Sequence, residues 1–427
     1  MTSRCALKAI LSLSIILFSS HAQGTVFDSY GQSAGTMAVG NATTAGGTTV
    51  FAAYTNPALL VKAKTNEISV QGMITRFDLQ DLPEAPGSNL PADKDTASSA
   101  DALKGSSVGM NVTLREGLHL GLAAYMPQGS FGRIKGVSSY QSTYLRYSEN
   151  QGKPAVYTAL GLDLPSGFSI GLGAYYSLRA KGVLQIALSN TESEGRVDLN
   201  MEPVIAPYGG LAWSGNGLTV AVYYREAQKT DSKIESGFSL TNQDFSIPFN
   251  ASTGLVPFYD PAIFRFGIAS HYFASAEILF SFEQAQWARF RTALVSLSGN
   301  DVASLSAESR GANSNLRDTQ AYRLGVVVPF AGPMDQTMEF RSGLELHTSA
   351  NRPGTKSSII DPARQSLAAG LNWQLKADAV GRRLALETAF QYSRLSPSDR
   401  VSARGAAIHL SQGHSIQTFV GGLNYEL

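Results

Sequence analysis

Three groups of residues have types and spacings that could do chemistry. Gly31-Gln32-Ser33-Ala34-Gly35 satisfies G-x-S-x-G, the turn that raises a nucleophilic serine between a strand and a helix in many hydrolases. That chemistry needs a preceding strand and downstream acid and histidine partners, and here only a small-residue stretch surrounds the serine, so the match reads as chance. His119, His271, His347, His409 and His414 are scattered too widely for a metal site, and a single cysteine excludes both a disulfide framework and a thiolate cluster. No catalysis, no metal and no cofactor is expected. The third group is Arg265, Arg323 and Arg341. A guanidinium offers a planar fork that receives a carboxylate through two parallel hydrogen bonds. Which carboxylates these arginines meet depends on the elements that carry them.

Of 427 residues only 16% are charged, against about 25% in soluble domains. Lys+Arg number 34 and Asp+Glu 33, and no basic run suggests a nucleic-acid partner. Glycine (41) and Tyr plus Phe (17 and 20) are abundant instead. Arg4 and Lys8 precede an apolar run over 9–18, and Ser20-His21-Ala22 supplies small residues for cleavage. Residues 1–22 therefore read as a signal peptide, too short to span a bilayer as a helix.

The remainder alternates with a period of two. Leu118, Leu120 and Leu122 oppose His119, Gly121 and Ala123; Phe168, Ile170 and Leu172 oppose Ser169, Gly171, Gly173 and Tyr175; Leu218, Val220 and Val222 oppose Thr219, Ala221, Tyr223 and Arg225. Successive side chains of a strand point to opposite faces, so these are strands. Fourteen segments begin near Ile68, Ser107, Leu118, Ala155, Phe168, Pro203, Leu218, Ile263, Ala276, Ala321, Thr337, Ser366, Leu384 and Ser415. Short connections (115–117, 165–167, 214–217, 274–275, 331–336, 376–382) alternate with long polar ones, such as 127–153, 189–202, 226–260 and 289–318. Tight turns on one rim and long loops on the other are the pattern of an all-β transmembrane antiparallel β-barrel. A closed sheet is also the one way strands can pair every backbone group inside lipid. The alternative, a secreted β-sandwich, has strands of about 5–6 residues, whereas these segments run to nine or more. Tyr125, Tyr176, Tyr224, Trp287, Trp373, Tyr392 and Tyr425 lie near segment ends and suit the headgroup girdle.

Residues 23–64 lack this alternation. They are glycine-rich, and Asp28 is their one charged residue before Lys62. Disordered leaders are usually charge-rich, so the segment reads as a plug folded into the lumen, with the barrel occupying 65–427. It ends in Asn56-Pro57-Ala58-Leu59. Further along stand Pro261-Ala262 before Phe266-Gly267-Ile268-Ala269, Trp287 with Phe290, Asp318 before Tyr322-Arg323-Leu324-Gly325, and Asp361-Pro362-Ala363-Arg364. In this order the motifs resemble the FadL-type outer-membrane family, which includes long-chain fatty acid transporters and their aromatic-hydrocarbon relatives. The likeness implies a 14-strand barrel closed by an N-terminal hatch, with Asn56, Pro57 and Ala58 on its signature motif. It implies as partners hydrophobic small molecules, outer-membrane lipid and the barrel assembly machinery. One departure is the last residue, Leu427, where such barrels usually carry an aromatic.

The expected function is passive uptake of hydrophobic compounds, long-chain fatty acids first and hydrocarbons next. A general porin or an adhesive barrel are the alternatives. By the alternation Arg265, Arg323 and Arg341 face the lumen with Glu339, Glu345 and Glu387. There they either form an ion-pair network joining barrel and hatch or meet a substrate carboxylate. Phe131, Phe249 and Phe258 lie in outer loops, where they either gather hydrophobic ligand or pack loop against loop.

Overall fold

The computed structural model describes residues 26–79, 102–128, 143–147, 153–189, 193–242, 245–273, 276–290, 295–298, 315–333, 336–355, 359–375, 382–401, 407–411 and 413–427. Fourteen antiparallel strands close into a barrel. They are β1 (Glu67–Asp78), β2 (Leu103–Arg115), β3 (Leu118–Pro127), β4 (Ala155–Asp163), β5 (Phe168–Ser189), β6 (Ser193–Gly215) and β7 (Leu218–Arg225). After a hairpin come β8 (Ile263–Phe273), β9 (Ala276–Ala285), β10 (Thr319–Ala331), β11 (Thr337–His347), β12 (Arg364–Leu375), β13 (Leu384–Leu395) and β14 (Ser415–Glu426). Each pairs with the next, and β14 returns to β1 from Glu67↔Glu426 to Asp78↔Ser415, so no edge is left open. Every segment read from the alternation is one of these strands. At the β6–β7 turn, Asn216 and Gly217 both have positive φ (49° and 73°), as the twist of a two-residue hairpin requires.

The surface is inverted relative to a soluble protein. Leu172, Ile205 and Leu367 are 66%, 59% and 57% exposed, while Arg225 and Glu345 inside are 0% exposed. A belt of this kind is stable only against lipid, where apolar contact replaces water.

Two expectations about the rims are corrected. The stretches 189–202 and 226–260 were expected as long loops. Instead β5 and β6 stay paired from Ser177↔Val204 to Leu188↔Ser193. A further hairpin joins Gln228–Asn242 to Phe245–Asp260, and it runs parallel to β5 from Gly182↔Ile234 to Ser189↔Thr241. Backbone beyond the bilayer still needs partners, and strands already in register keep pairing, here past Pro203 opposite Leu178. The girdle assignment also fails at two positions: Tyr125 (3% exposed) and Trp287 (2%) are buried. Tyr125 shares the parity of His119 and Ala123 and so points inward, while Trp287 lies in a 3₁₀ turn, Trp287–Arg289, against Tyr259. Tyr224 and Tyr392 do face outward.

The leading segment occupies the interior. It contains α1 (Val26–Tyr30), α2 (Ala34–Ala38), α3 (Ala52–Thr55) and a 3₁₀ helix, Pro57–Lys62. Ser33 is the N-cap of α2: its Oγ accepts from Thr36 N at 3.2 Å, which accounts for the serine of the G-x-S-x-G match without catalysis. Wall glycines make room for this segment. A Cβ on Gly325 would lie 2.7 Å from Val39 O, and one on Gly161 would lie 2.8 Å from Leu60 Cβ. Gly40 combines φ +61° with backbone of Leu344 at 2.9 Å from where its Cβ would stand. Part of the high glycine content is therefore the space between wall and filling.

Candidate functional site

Inside the barrel the wall divides into two sectors, each built one residue per strand. Five consecutive strands give an inward tyrosine: Tyr125 (β3), Tyr157 (β4), Tyr175 (β5), Tyr208 (β6) and Tyr223 (β7), all buried. Tyr157 and Tyr175 are register partners, stacked at 4.4 Å with planes 6° apart. From the leader, Phe27 packs edge-on against Tyr125 at 5.6 Å and Tyr54 against Tyr157 at 4.9 Å.

From β7 onward the tyrosines give way to charge: Arg225 (β7), Arg265 (β8), Glu283 (β9), Arg323 (β10), Glu345 (β11) and Arg364 (β12). Each is at most 5% exposed. Glu283 Oε2 receives Arg265 Nε at 2.7 Å and Arg323 Nη1 at 3.0 Å. Glu345 receives Arg323 Nε at 3.1 Å on Oε1 and Arg364 Nη2 at 2.8 Å on Oε2. Arg341 forms a separate pair of bridges, to Glu339 at 2.6 Å and to Glu387 at 3.1 Å.

Asp28 of α1 stands where the sectors meet. Arg225 holds it with both terminal nitrogens, Nη2 to Oδ2 at 2.8 Å and Nη1 to Oδ1 at 3.3 Å. Arg265 Nη2 donates to Oδ1 at 3.1 Å, and the Tyr54 hydroxyl donates to the same oxygen. Burial opposes the charge on Asp28, but the two guanidiniums prevail and hold its pKa below the ordinary carboxylate value. Arg364 Nη1 donates to Ser29 O at 2.8 Å, so the ionic sector grips the same helix twice.

Lower in the barrel Asn56 stitches the leader to the wall. Its Oδ1 caps the 3₁₀ helix by accepting from Ala58 N at 3.1 Å, and its Nδ2 donates to Thr44 O at 3.1 Å and to Val222 O of β7 at 3.2 Å. At the turn-side end, Gly47–Val50 border a polar cavity of about 190 Å³ lined by Glu67, Glu339, Arg341, Asn372, Glu387 and Glu426. Toward the long-loop end, outer segments reach in. Thr143–Tyr144 pairs in parallel with Ile359–Ile360. Arg146 clasps Asp361 through 2.6 and 2.8 Å bonds, and its carbonyl accepts from Tyr30 of α1 at 3.2 Å. Lys153 is paired with Asp260, which also accepts from the Tyr175 hydroxyl at 2.8 Å. Burial pulls the Lys153 ammonium below its usual pKa, with Asp260 opposing.

No protein-family model matches the sequence, and no curated protein does. Solved structures do. A Pseudomonas aeruginosa FadL homologue superposes with TM-score 0.58 at 12% identity, over 96% of this chain and 99% of its own. A monoaromatic hydrocarbon channel, CymD, gives 0.55 at 13% identity over 92% and 96%. The Ralstonia pickettii toluene transporter TbuX gives 0.52 at 12% identity over 94% and 99%. The fold is that of the FadL-type outer-membrane channels.

Within this FadL-type barrel, Arg265, Arg323 and Arg341 face the lumen as the alternation indicated, and each is bound to carboxylates of the chain itself. Of the two readings offered for them, the geometry displays the ion-pair network, and through Asp28 it joins barrel to leader. Asn56, Pro57 and Ala58 are fully buried against β5, β6 and β7. Phe131 lies outside the described residues, and Phe249 and Phe258 fall on the outer hairpin strand Phe245–Asp260. Sequence reasoning missed Arg225 and the tyrosine sector as site residues. The alternation had put Tyr175, Tyr223 and Arg225 on the inner face, but their convergence depends on interstrand register, which parity does not carry.

Proposed function

We propose that the chain is a passive outer-membrane channel for hydrophobic molecules, with long-chain fatty acids the first class of substrate and hydrocarbons the second. Residues 23–64 act as its hatch, and residues 1–22 as the export signal. One observation carries the reading: a lipid-facing barrel whose interior is filled by its own leading segment, poor in charge and fastened at Asp28 and Asn56. A porin for polar solutes keeps its lumen open, and an adhesive barrel has no use for a filling fastened by polar bonds to the wall. The solved neighbours support the same class, since they include a FadL homologue, a monoaromatic hydrocarbon channel and a toluene transporter. Capture needs no cofactor. Each CH₂ moved from water into an apolar site is worth about 0.8 kcal/mol, so a greasy binding region concentrates substrate before the hatch moves.

The test is conductance in planar bilayers combined with growth on oleate and on toluene. The intact chain should conduct little, deletion of residues 23–64 should raise conductance strongly, and cells lacking the protein should grow poorly on at least one substrate. High conductance of the intact chain, with growth unaffected by its loss, overturns the proposal.

A further inference from the structure

We propose that the Arg225–Arg265–Tyr54 cage is a carboxylate-binding site whose closed-state occupant is Asp28, and that the carboxylate of an incoming amphipathic acid displaces Asp28 and so frees the leader. This rests on the channel reading above and adds to it the trigger and the part of the ligand that works it.

The cage has the donor geometry of a ligand site. Asp28 presents two oxygens to a guanidinium fork, with a third nitrogen and a hydroxyl closing on Oδ1. A free organic acid presents the same two oxygens. The surroundings suit an apolar tail: Arg225 lies over the Tyr175 ring at 5.5 Å, and Arg265 lies over the Tyr54 and Tyr223 rings at 5.0 Å each.

The cage also cannot stand empty at low cost. Arg225 is 0% exposed, Asp28 is the carboxylate that pairs with it, and its Nε has no partner. Arg265 keeps Glu283 if Asp28 leaves, whereas among the described residues Arg225 would keep the Tyr157 hydroxyl at 3.0 Å as its hydrogen-bond partner, and Asp260, which also attracts it, is already paired with Lys153. A guanidinium buried without a counter-charge is strongly disfavoured. Departure of the leader is therefore coupled to arrival of another anion. A neutral amphiphile of equal length could enter the tyrosine sector but could not relieve Arg225. A ligand shifts a two-state equilibrium only through its differential affinity for the two states, and here that difference resides in the carboxylate. Asp28 is the one charged residue of the segment before Lys62, so the leader offers this cage no second anion.

The full-length protein, purified in detergent and inserted in planar bilayers, is exposed to dodecanoate or to dodecanol at equal submicellar concentration. Dodecanoate should raise the open probability several-fold over dodecanol. Asp28→Asn should open more readily than the wild type without ligand, and Arg225→Gln should lose the preference for the acid. Heat-modifiable migration on gels confirms that each variant is a folded barrel, and the wild-type comparison decides the matter should a variant not fold. Equal opening of the wild type by the two amphiphiles, or an acid preference retained in folded Arg225→Gln, overturns the proposal. Uptake of labelled dodecane by cells expressing the chain separates the two readings. Dodecane uptake without acid-selective opening removes the cage alone, while neither uptake nor opening removes the channel as well.

Discussion

The tyrosine sector (β3–β7) and the ionic sector (β7–β12) belong to one sheet and obey one alternation, yet their inward groups are held in different ways. In the ionic sector every carboxylate is shared by two guanidiniums, Glu283 between Arg265 and Arg323 and Glu345 between Arg323 and Arg364. Five strands are thereby crosslinked through side chains, and because the bridges are shared most members keep a second partner when one is removed. In the tyrosine sector, Tyr125 and Tyr223 have hydroxyls with no hydrogen-bond partner, and Tyr208 bonds mainly to the leader at Ala53 O, 2.5 Å away. The first sector is rigid by construction. The second is held largely by what fills the lumen, and so it is the side on which a substrate can replace the filling.

Glu283→Gln should break this contrast most severely. It strips Arg265 and Arg323 of a shared counter-charge in a site 2% exposed and leaves each with one carboxylate, Asp28 and Glu345, so the loss should fall at the low end for a broken buried pair, about 3 kcal/mol, read as a fall in the urea midpoint of the detergent-solubilised barrel. A smaller loss follows from acid. Asp28 has a folded pKa below its unfolded value, so its stabilising contribution is complete above the ordinary aspartate pKa of about 4 and fades as pH drops through the lowered folded value. Conductance recorded while the bath is taken from neutrality to below about pH 4 should rise reversibly, and Asp28→Asn should abolish that dependence. A pH response unchanged in that variant would mean that some other group holds the leader.

Much of this was readable in the chain. Period-two alternation located all fourteen strands, because lipid on one side and a polar lumen on the other impose a sharper contrast than a soluble core does. The scarcity of charge in 23–64, with only Asp28 before Lys62, pointed to a filling, and parity placed Arg265, Arg323 and Arg341 inside. Neighbour identity across strands was not readable. Tyr208 faces Arg225 and Tyr223 faces Arg265 only because of the shear of the closed sheet, and a slip of two residues would keep every parity while dispersing both sectors. Tyr125 shows the same limit at one residue. Its place near a strand end suggested the lipid interface, but its parity put it against Phe27.

Asn56→Ala should cost about 2 kcal/mol, combining a lost 3₁₀ cap with two carbonyls left without their donor. Because one of those carbonyls, Val222 O, belongs to the wall, the variant should also show more frequent brief openings, a readout that loss of the cap alone would not produce.

The smallest effect gives the cleanest comparison within the tyrosine sector. Tyr223→Phe removes a hydroxyl that bonds to nothing, so stability should stay within about 0.5 kcal/mol of wild type, with the ring still beneath Arg265 at 5.0 Å. Tyr175→Phe removes a donor to the buried Asp260 carboxylate at 2.8 Å, and a hydrogen bond to a charged group is worth about 1.5–3 kcal/mol. Parallel urea titrations should therefore separate two chemically identical substitutions on strands of the same wall. Equal losses from both would show that the Tyr223 hydroxyl is bonded in the membrane, and that the two sectors differ less than their geometry indicates.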